Sequence, residues 1–105
     1  MSGYSLILTT AGSREEAQRM ASSLVERELA ACVNIVSGVQ SFYRWEGKLE
    51  RADEWLLLIK TTESGFSRVR EAVNELHSYE LPECICIEIK DGSPEYLKWI
   101  ADGVR

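Results

Sequence analysis

The sequence predicts an α+β domain in which helices cover one face of a sheet built from four strands. Two observations carry this prediction: strand-like and helix-like stretches alternate along the chain, and the two longest strand-like stretches are neighbours joined by a tight turn. The chain has 105 residues, which suits a single domain spanning residues 1–105 and is enough to bury a core without disulfide bonds.

The first part of the chain predicts a strand and then a helix. Residues 4–10 are short and apolar, as in a strand. Ser13 followed by Glu16 is typical of a capping box, in which each side chain satisfies a free backbone amide at the start of a helix. Apolar residues then recur at the spacing of one helical face, which predicts a helix over about 14–30.

The middle of the chain predicts a long hairpin. Residues 31–45 are rich in β-branched and aromatic side chains, with a bend or bulge expected at Gly38. Residues 46–48 predict a turn, and residues 49–62 predict the second strand. The two strands should pair as an extended antiparallel hairpin.

The last part predicts a helix over 64–77, a strand over 83–90 and a short helix. The short helix should begin with Ser93 as its cap and Pro94 at its first position, and should end at Gly103. The order β-α-β-β-α-β-α is that of a ferredoxin-like split-βαβ sandwich with an additional C-terminal helix.

The strand after the turn is apolar on both faces. Trp55, Leu57 and Ile59 alternate with Leu56 and Leu58, whereas a strand with one solvent-facing side should alternate apolar with polar residues. One chain supplies helices for only one face of the sheet. The pattern therefore predicts a homo-oligomer in which another copy covers the second face; the alternative is that the long hairpin curls over its own sheet.

Composition excludes several classes of function. The chain has 12 basic and 17 acidic residues, a net charge of −5, which argues against binding to nucleic acid or to an anionic membrane. No apolar run approaches a membrane span, and no secretory signal is visible. Three cysteines are too few for a disulfide scaffold and predict reduced thiols in a cytoplasmic protein. No catalytic template is present, so an enzyme is not predicted.

The stretch ELHSYELPEC, residues 75–84, raises the main functional question. It holds the only histidine of the chain, His77, close to Glu80, Glu83 and a cysteine. These side chains suit a cation or a polar ligand, since imidazole and thiolate favour copper and zinc and carboxylates favour harder ions. The alternative is that His77 ends the second helix and complements its last carbonyl groups.

Two further features allow a functional and a structural interpretation. Cys84 and Cys86 share one strand face and could hold Cu(I), or could be small buried apolar residues. Lys60, at the end of an apolar run, could bind an anion or could mark the exit of the strand.

Five stretches in register resemble the successive motifs of the CutA divalent-cation-tolerance family. They are ACVNI (31–35), SFYRW (41–45), LLIKT (57–61), HSYELPE (77–83) and YLKWI (96–100). The resemblance implies a ferredoxin-like subunit, a tight homotrimer similar in architecture to PII signalling proteins, and a role in tolerance of and response to copper and other divalent metal ions.

The resemblance also implies that motif residues gather in clefts between subunits. The expected metal ligands are Cys32, His77, Glu80 and Glu83. The expected contacts to another ligand are Tyr43, Trp45, Lys60, Tyr79 and Trp99. Ser78 stands where the family motif has proline, so the second helix is expected to run one residue longer and to leave His77 less fixed.

Two other functions remain open at the level of the sequence. In the first, the trimer is a PII-like sensor, Lys60 pairs with a small anionic metabolite, and Trp45 or Tyr79 stacks on it. In the second, the trimer is structural or binds a partner protein, and the cleft residues mainly seal the interface.

Overall fold

The computed structural model of the protein describes residues 3–105. Its elements are β1 (Tyr4–Ala11), α1 (Arg14–Glu26), β2 (Cys32–Trp45), β3 (Lys48–Thr62), α2 (Phe66–Leu76), β4 (Ile85–Glu88) and α3 (Pro94–Asp102). The strands form one antiparallel sheet in the order β2-β3-β1-β4. This confirms the predicted ferredoxin-like α+β fold with its extra C-terminal helix. Within residues 3–105 no helix is both long and apolar enough to cross a membrane.

The core lies between the helices and one face of the sheet. Its fully buried side chains come from two strands and two helices: Ile7, Leu57, Ile59, Met20, Leu24, Val69 and Val73. The helical residues among them recur at the spacing of one helix face, which is why α1 and α2 lie flat on the sheet.

The other face of the sheet, here called the open face, is also apolar. Leu8 pairs with Leu58 on one side and with Ile85 on the other, so these side chains share a face. Ile85 is 50% exposed and Ile87 is 45% exposed. The alternation predicted for β3 is therefore present. At one end of the open face Lys60 contacts Tyr96 of α3, whereas Ile85 and Ile87 of β4 remain about half exposed.

The central hairpin follows its prediction closely. The pairing of β2 with β3 is irregular between Val36 and Val39, where Gly38 adopts a φ of 79°. The turn consists of only Glu46 and Gly47, at φ 51° and 79°, the left-handed geometry of a tight hairpin turn. Such a long hairpin helps to give the chain its longest dimension of 45 Å.

The ends of the other elements depart from their predicted positions. Helix α1 ends at Glu26 instead of residue 30, because Glu28 turns left-handed at φ 58° and the amides of Leu29 and Ala30 bond back to Leu24. Helix α2 begins at Phe66, after a 3-10 turn over Glu63–Gly65.

Strand β4 is also shorter than predicted, covering Ile85–Glu88 instead of 83–90. Its ladder with β1 ends at Leu8, and further along β1 the carbonyl of Thr10 is bonded by the ring of His77. Helix α3 starts at Pro94 as expected, but the side chain of its cap Ser93 makes no capping hydrogen bond.

Candidate functional site: an acidic and aromatic cleft

A cleft of about 640 Å³ lies between the hairpin and the segment that follows α2. Its volume lies within the range of small-molecule sites. The lining is mainly aromatic and acidic: Phe42, Tyr43, Trp45, Tyr79, Glu54, Glu80 and Glu83, with Thr10, Ser41 and Leu81. Five of the residues singled out from the sequence therefore meet here, two from β2 and three from residues 79–83.

Glu54 and Tyr79 are joined at the wall of this cleft. The Tyr79 hydroxyl donates to Oε2 of Glu54 at 2.8 Å, and Glu54 is only 7% exposed. Burial, and next the hydrogen bond to Glu54, raise the pKa of Tyr79, so the phenol remains a proton donor at neutral pH. Gly12 makes room for the ring, since a Cβ there would lie 2.9 Å from the Tyr79 hydroxyl oxygen.

Glu83 gives the cleft an unfavourable concentration of negative charge. Partial burial raises the pKa of Glu83, and the negative charge of Glu54 raises it further. A bound cation would offset this repulsion. The affinity of the cleft for a cation should therefore increase as the pH rises and Glu83 ionises.

His77 lies beside the cleft and is anchored through both ring nitrogens. Nε2 is 2.5 Å from the carbonyl oxygen of Thr10, and Nδ1 accepts the backbone amide of Tyr79 at 3.0 Å. These partners assign the proton to Nε2. Because the side chain is fully buried, the ring holds the start of the cleft wall in place instead of pointing into the cleft.

The carboxylate of Glu16 fixes the same segment from the other side. Its Oε2 accepts the amide of Ser78 at 2.7 Å, and its Oε1 accepts the amide of Gly12 at 3.3 Å. Only half of the predicted capping box is therefore formed: Ser13 Oγ accepts the amide of Glu16 at 3.1 Å, but the Glu16 side chain does not return to Ser13.

The charge state of Glu16 follows from these contacts. Burial by itself raises the pKa of Glu16, but the hydrogen bonds from Ser78 and Gly12 outweigh it and hold the pKa below its usual value. His77 Nδ1 is 3.7 Å from Glu16 Oε2. With Nδ1 acting as an acceptor, this contact is not an ion pair.

The expected effect of Ser78 is wrong. Helix α2 ends at Leu76, and His77 is extended, at φ −82° and ψ 142°, as it would be before a proline. Serine replaces that constraint with a hydrogen bond, because its amide is the donor to Glu16. A proline at this position has no amide proton to give.

The remaining predicted residues form a second group at the far end of the hairpin. Lys60 Nζ donates to the Tyr96 hydroxyl at 3.3 Å and lies 5.5 Å from the centre of that ring. Tyr96 stacks on Trp99 with ring centres 5.4 Å apart. Cys32 pairs with Lys60 across the β2–β3 ladder.

Within one chain, the predicted site residues therefore lie in two separate groups. The Cys32–Lys60 pair and the Trp45–Lys48 pair are at opposite ends of the same ladder, about 40 Å apart at the usual rise of a strand. Within residues 3–105 no three His, Cys, Asp or Glu side chains are grouped so that they could hold a metal ion. The four-residue metal site expected from the resemblance remains a prediction.

Sequence reasoning missed several residues that shape the cleft. Glu54 carried a signal, because alternation places it on the same face of β3 as Leu56 and Leu58, where a charged residue is out of place. Gly12 and Glu16 carried none, because their partners Tyr79 and Ser78 are more than sixty residues away in the sequence.

Comparison with known proteins agrees with the resemblance. The sequence profile of the "CutA1 divalent ion tolerance protein" family matches residues 5–103. The chain is 45% identical to the divalent-cation tolerance protein CutA of Thermus thermophilus, covering 92% of this chain and 94% of that protein. It is 43% identical to a protein named "Protein CutA, chloroplastic" of Arabidopsis thaliana, covering 95% of this chain and 55% of that protein.

Solved structures give the same result. The Thermus thermophilus divalent cation tolerance protein superposes with a TM-score of 0.95 at 43% identity, covering 97% of this chain and 99% of that one. The protein named as the periplasmic CutA of Archaeoglobus fulgidus superposes with a TM-score of 0.94 at 44% identity, with the same coverage. Since relatives are named for different compartments, the cytoplasmic location remains a prediction. The chain belongs to the CutA1 divalent ion tolerance protein family.

Proposed function

We propose that the protein serves divalent-cation tolerance by binding a divalent cation, copper above all, in the acidic cleft. The observation that carries the proposal is that Glu54, Glu80 and Glu83 line one cleft, where the pKa of Glu83 is raised by burial and by Glu54. Within residues 3–105 of one chain they are not grouped as a complete metal site, so a neighbouring copy must supply further ligands. Carboxylate oxygens are ligands for divalent ions. A cation would relieve the repulsion that raises this pKa.

Copper is the ion expected to bind most tightly. For a given set of nitrogen and oxygen ligands, Cu²⁺ has the highest affinity among the divalent ions of the first transition row. The net charge of −5 also favours the approach of cations. In the proposed function the protein binds the ion and catalyses no reaction.

We further propose that the protein works as a homotrimer whose copies complete the clefts. The support is the apolar open face, on which Ile85 and Ile87 are about half exposed; contiguous apolar surface of this kind is typical of an interface. In such a trimer the predicted ligand Cys32 reaches a cation only from a neighbouring copy. His77 is expected to position the wall, since ligation would break one of its two hydrogen bonds.

Native mass spectrometry with graded Cu(II) tests both parts of the proposal. Cys84→Ser and Cys86→Ser are introduced first, so that these thiols do not reduce the ion. A trimer that takes up a fixed small number of copper ions per subunit supports the proposal. A trimer with only nonspecific adducts rejects the cation site, and a monomer rejects the assembly.

A variant on the open face serves as the control for assembly. Leu58 is half-buried there and pairs with Leu8. Leu58→Asp should dissociate the trimer, because an unpaired carboxylate would be buried at the interface. The solvent-exposed substitution Glu71→Gln on α2 should leave the trimer intact.

The second group of residues favours one alternative function, a PII-like sensor of a small anionic metabolite. Lys60 lies beside Tyr96, which stacks on Trp99, and an ammonium group next to aromatic rings suits an anion with a planar part. In a trimer, Trp45 or Tyr79 of a neighbouring copy would stack on the same ligand. A thermal-shift screen of anionic nucleotides and organic acids, with Lys60→Ala as the control, tests this alternative.

A further inference from the structure

Two reduced thiols lie outside the group of residues assigned to the cleft, at Cys84 and Cys86. Cys86 pairs with Ile7 across the β1–β4 ladder, and Ile7 is fully buried on the helix-covered face. Paired residues share a face, so Cys86 is on the helix side of the sheet. Cys84 packs against the buried core, so it is on that side as well.

The spacing of the two residues decides what they can do together. Residues two apart in extended chain have Cα atoms about 6.6 Å apart and side chains that run nearly parallel. A disulfide needs Cβ atoms about 3.8 Å apart, so these thiols are poorly placed to cross-link. A single ion held between two sulfurs, each about 2.3 Å away, needs sulfurs about 4.6 Å apart. Rotation of the two side chains about χ1 brings parallel sulfurs closer together, in the direction that such an ion requires.

Exposure and charge around the pair suit an ion that enters from solvent. Cys84 is half-buried and Cys86 is exposed, so one thiol is anchored and the other is accessible. Burial raises the pKa of Cys84, the guanidinium of Arg70 partly counteracts this, and the charges of Cys86 and Glu83 raise the pKa further. Arg70 can offset part of the negative charge that two bound thiolates would carry.

We propose that Cys84 and Cys86 bind one Cu(I) ion as a two-coordinate dithiolate, a site separate from the acidic cleft. Two thiols and one Cu⁺ give one complex with a charge of −1 and release two protons, and no electron is transferred. The inference does not depend on the proposed function, because a divalent ion bound by carboxylates and a monovalent ion bound by thiolates use different residues.

The ligand count favours Cu(I) over zinc. Structural zinc takes four ligands in a tetrahedron, and residues 3–105 contain no group of three or more His, Cys, Asp or Glu side chains suited to a metal. Soft thiolate ligands select Cu(I) among the common metal ions. Two sulfurs on one face, one from the residue just before β4 and one from β4 itself, satisfy an ion that accepts two ligands.

Anaerobic titration of the full-length protein with Cu(I), in competition with a chromophoric Cu(I) chelator, tests the proposal. The parent should bind one tight equivalent per chain. Cys86→Ser, at an exposed position where folding should be unaffected, should weaken binding by about 100-fold, because one thiolate leaves a soft ion short of a ligand. Glu71→Gln, at an exposed position on α2 outside both proposed sites, is the control and should bind like the parent.

Two outcomes would overturn the proposal. One is unchanged affinity in Cys86→Ser; the other is loss of the tight equivalent in Cys32→Ser, which would assign the ion to the other end of the hairpin. X-ray absorption of the loaded protein gives a second readout that does not rest on affinity. It should show two sulfur ligands, and a first shell containing nitrogen or oxygen would contradict the assignment.

Discussion

The segment 77–83 has two parts with different roles, although they are adjacent in sequence: a first half, residues 77–78, and a second half, residues 80–83. In the first half, the His77 side chain is fully buried and the Ser78 amide is bonded to Glu16. In the second half, Glu80 and Glu83 are exposed and line the cleft. This difference indicates that His77, which looked most like a ligand in the sequence, anchors the segment. The exposed carboxylates of Glu80 and Glu83 are the groups available to a cation.

This division has an energetic consequence. Removing one partner from a buried hydrogen bond leaves the other unsatisfied, which costs about 1–3 kcal/mol. Replacing an exposed carboxylate leaves nothing buried and unpaired. Substitutions in the first half should therefore lower the free energy of unfolding, and substitutions in the second half should change binding alone.

The largest effect on stability is expected from His77→Ala. The change leaves the Thr10 carbonyl and the Tyr79 amide without partners and opens a cavity, so the free energy of unfolding should fall by about 3 kcal/mol. Urea denaturation followed by circular dichroism measures it. A loss below about 1 kcal/mol would mean that the histidine is not an anchor.

Glu16→Gln should have the next largest effect, about 2 kcal/mol at neutral pH, because hydrogen bonds to a charged acceptor are replaced by weaker ones. The pKa of Glu16 is lowered below 4.5 in the folded protein. The carboxylate therefore contributes stability above pH 4.5, and this contribution is lost as the pH falls through the lowered pKa.

Denaturation of the parent and of Glu16→Gln at several pH values checks that sign. The difference in the free energy of unfolding between the two proteins should shrink between neutral and strongly acidic pH. A difference that stays constant, or that grows as the pH falls, would contradict the assignment of Glu16 as an ionised acceptor. Glu15→Gln, at an exposed neighbouring position, is the matched control.

Ser78→Pro should have the smallest effect in the first half. It removes the amide that donates to Glu16, but proline restricts the unfolded chain and favours the extended conformation that His77 already adopts. The two contributions oppose each other, so the free energy of unfolding should change by less than about 1 kcal/mol. Ser78→Ala, which keeps the amide, separates the loss of the hydroxyl from the loss of the amide.

The sequence predicted the order of elements because apolar periodicity is local: the helix faces, the bulge near Gly38 and the hairpin turn are each readable within a few residues. Where α1 ends depended on a left-handed residue, Glu28, that has no strong sequence signal. The fold was thus predictable from local pattern, and the element ends were not.

The cleft was only partly predictable. Tyr43, Trp45, Glu80 and Glu83 were singled out and do meet. The alternative that His77 ends the second helix is confirmed, because His77 is the C-cap of α2. The bond of its ring to Thr10 was not predictable, because Thr10 is 67 residues away and only the folded sheet brings them together. The separation of Cys32 from the cleft likewise follows from the length of the hairpin ladder, which a list of motifs does not convey.

The central claim is that the carboxylates of the second half bind the divalent cation. Calorimetric titration with Cu(II) tests it most directly, comparing the Cys84→Ser/Cys86→Ser protein with the same protein carrying Glu80→Gln and Glu83→Gln. We predict that the glutamine substitutions weaken binding by at least about 10-fold, because carboxylate ligands are lost, while the melting temperature stays the same. Equal affinity in the two proteins would contradict the claim and place the cation elsewhere.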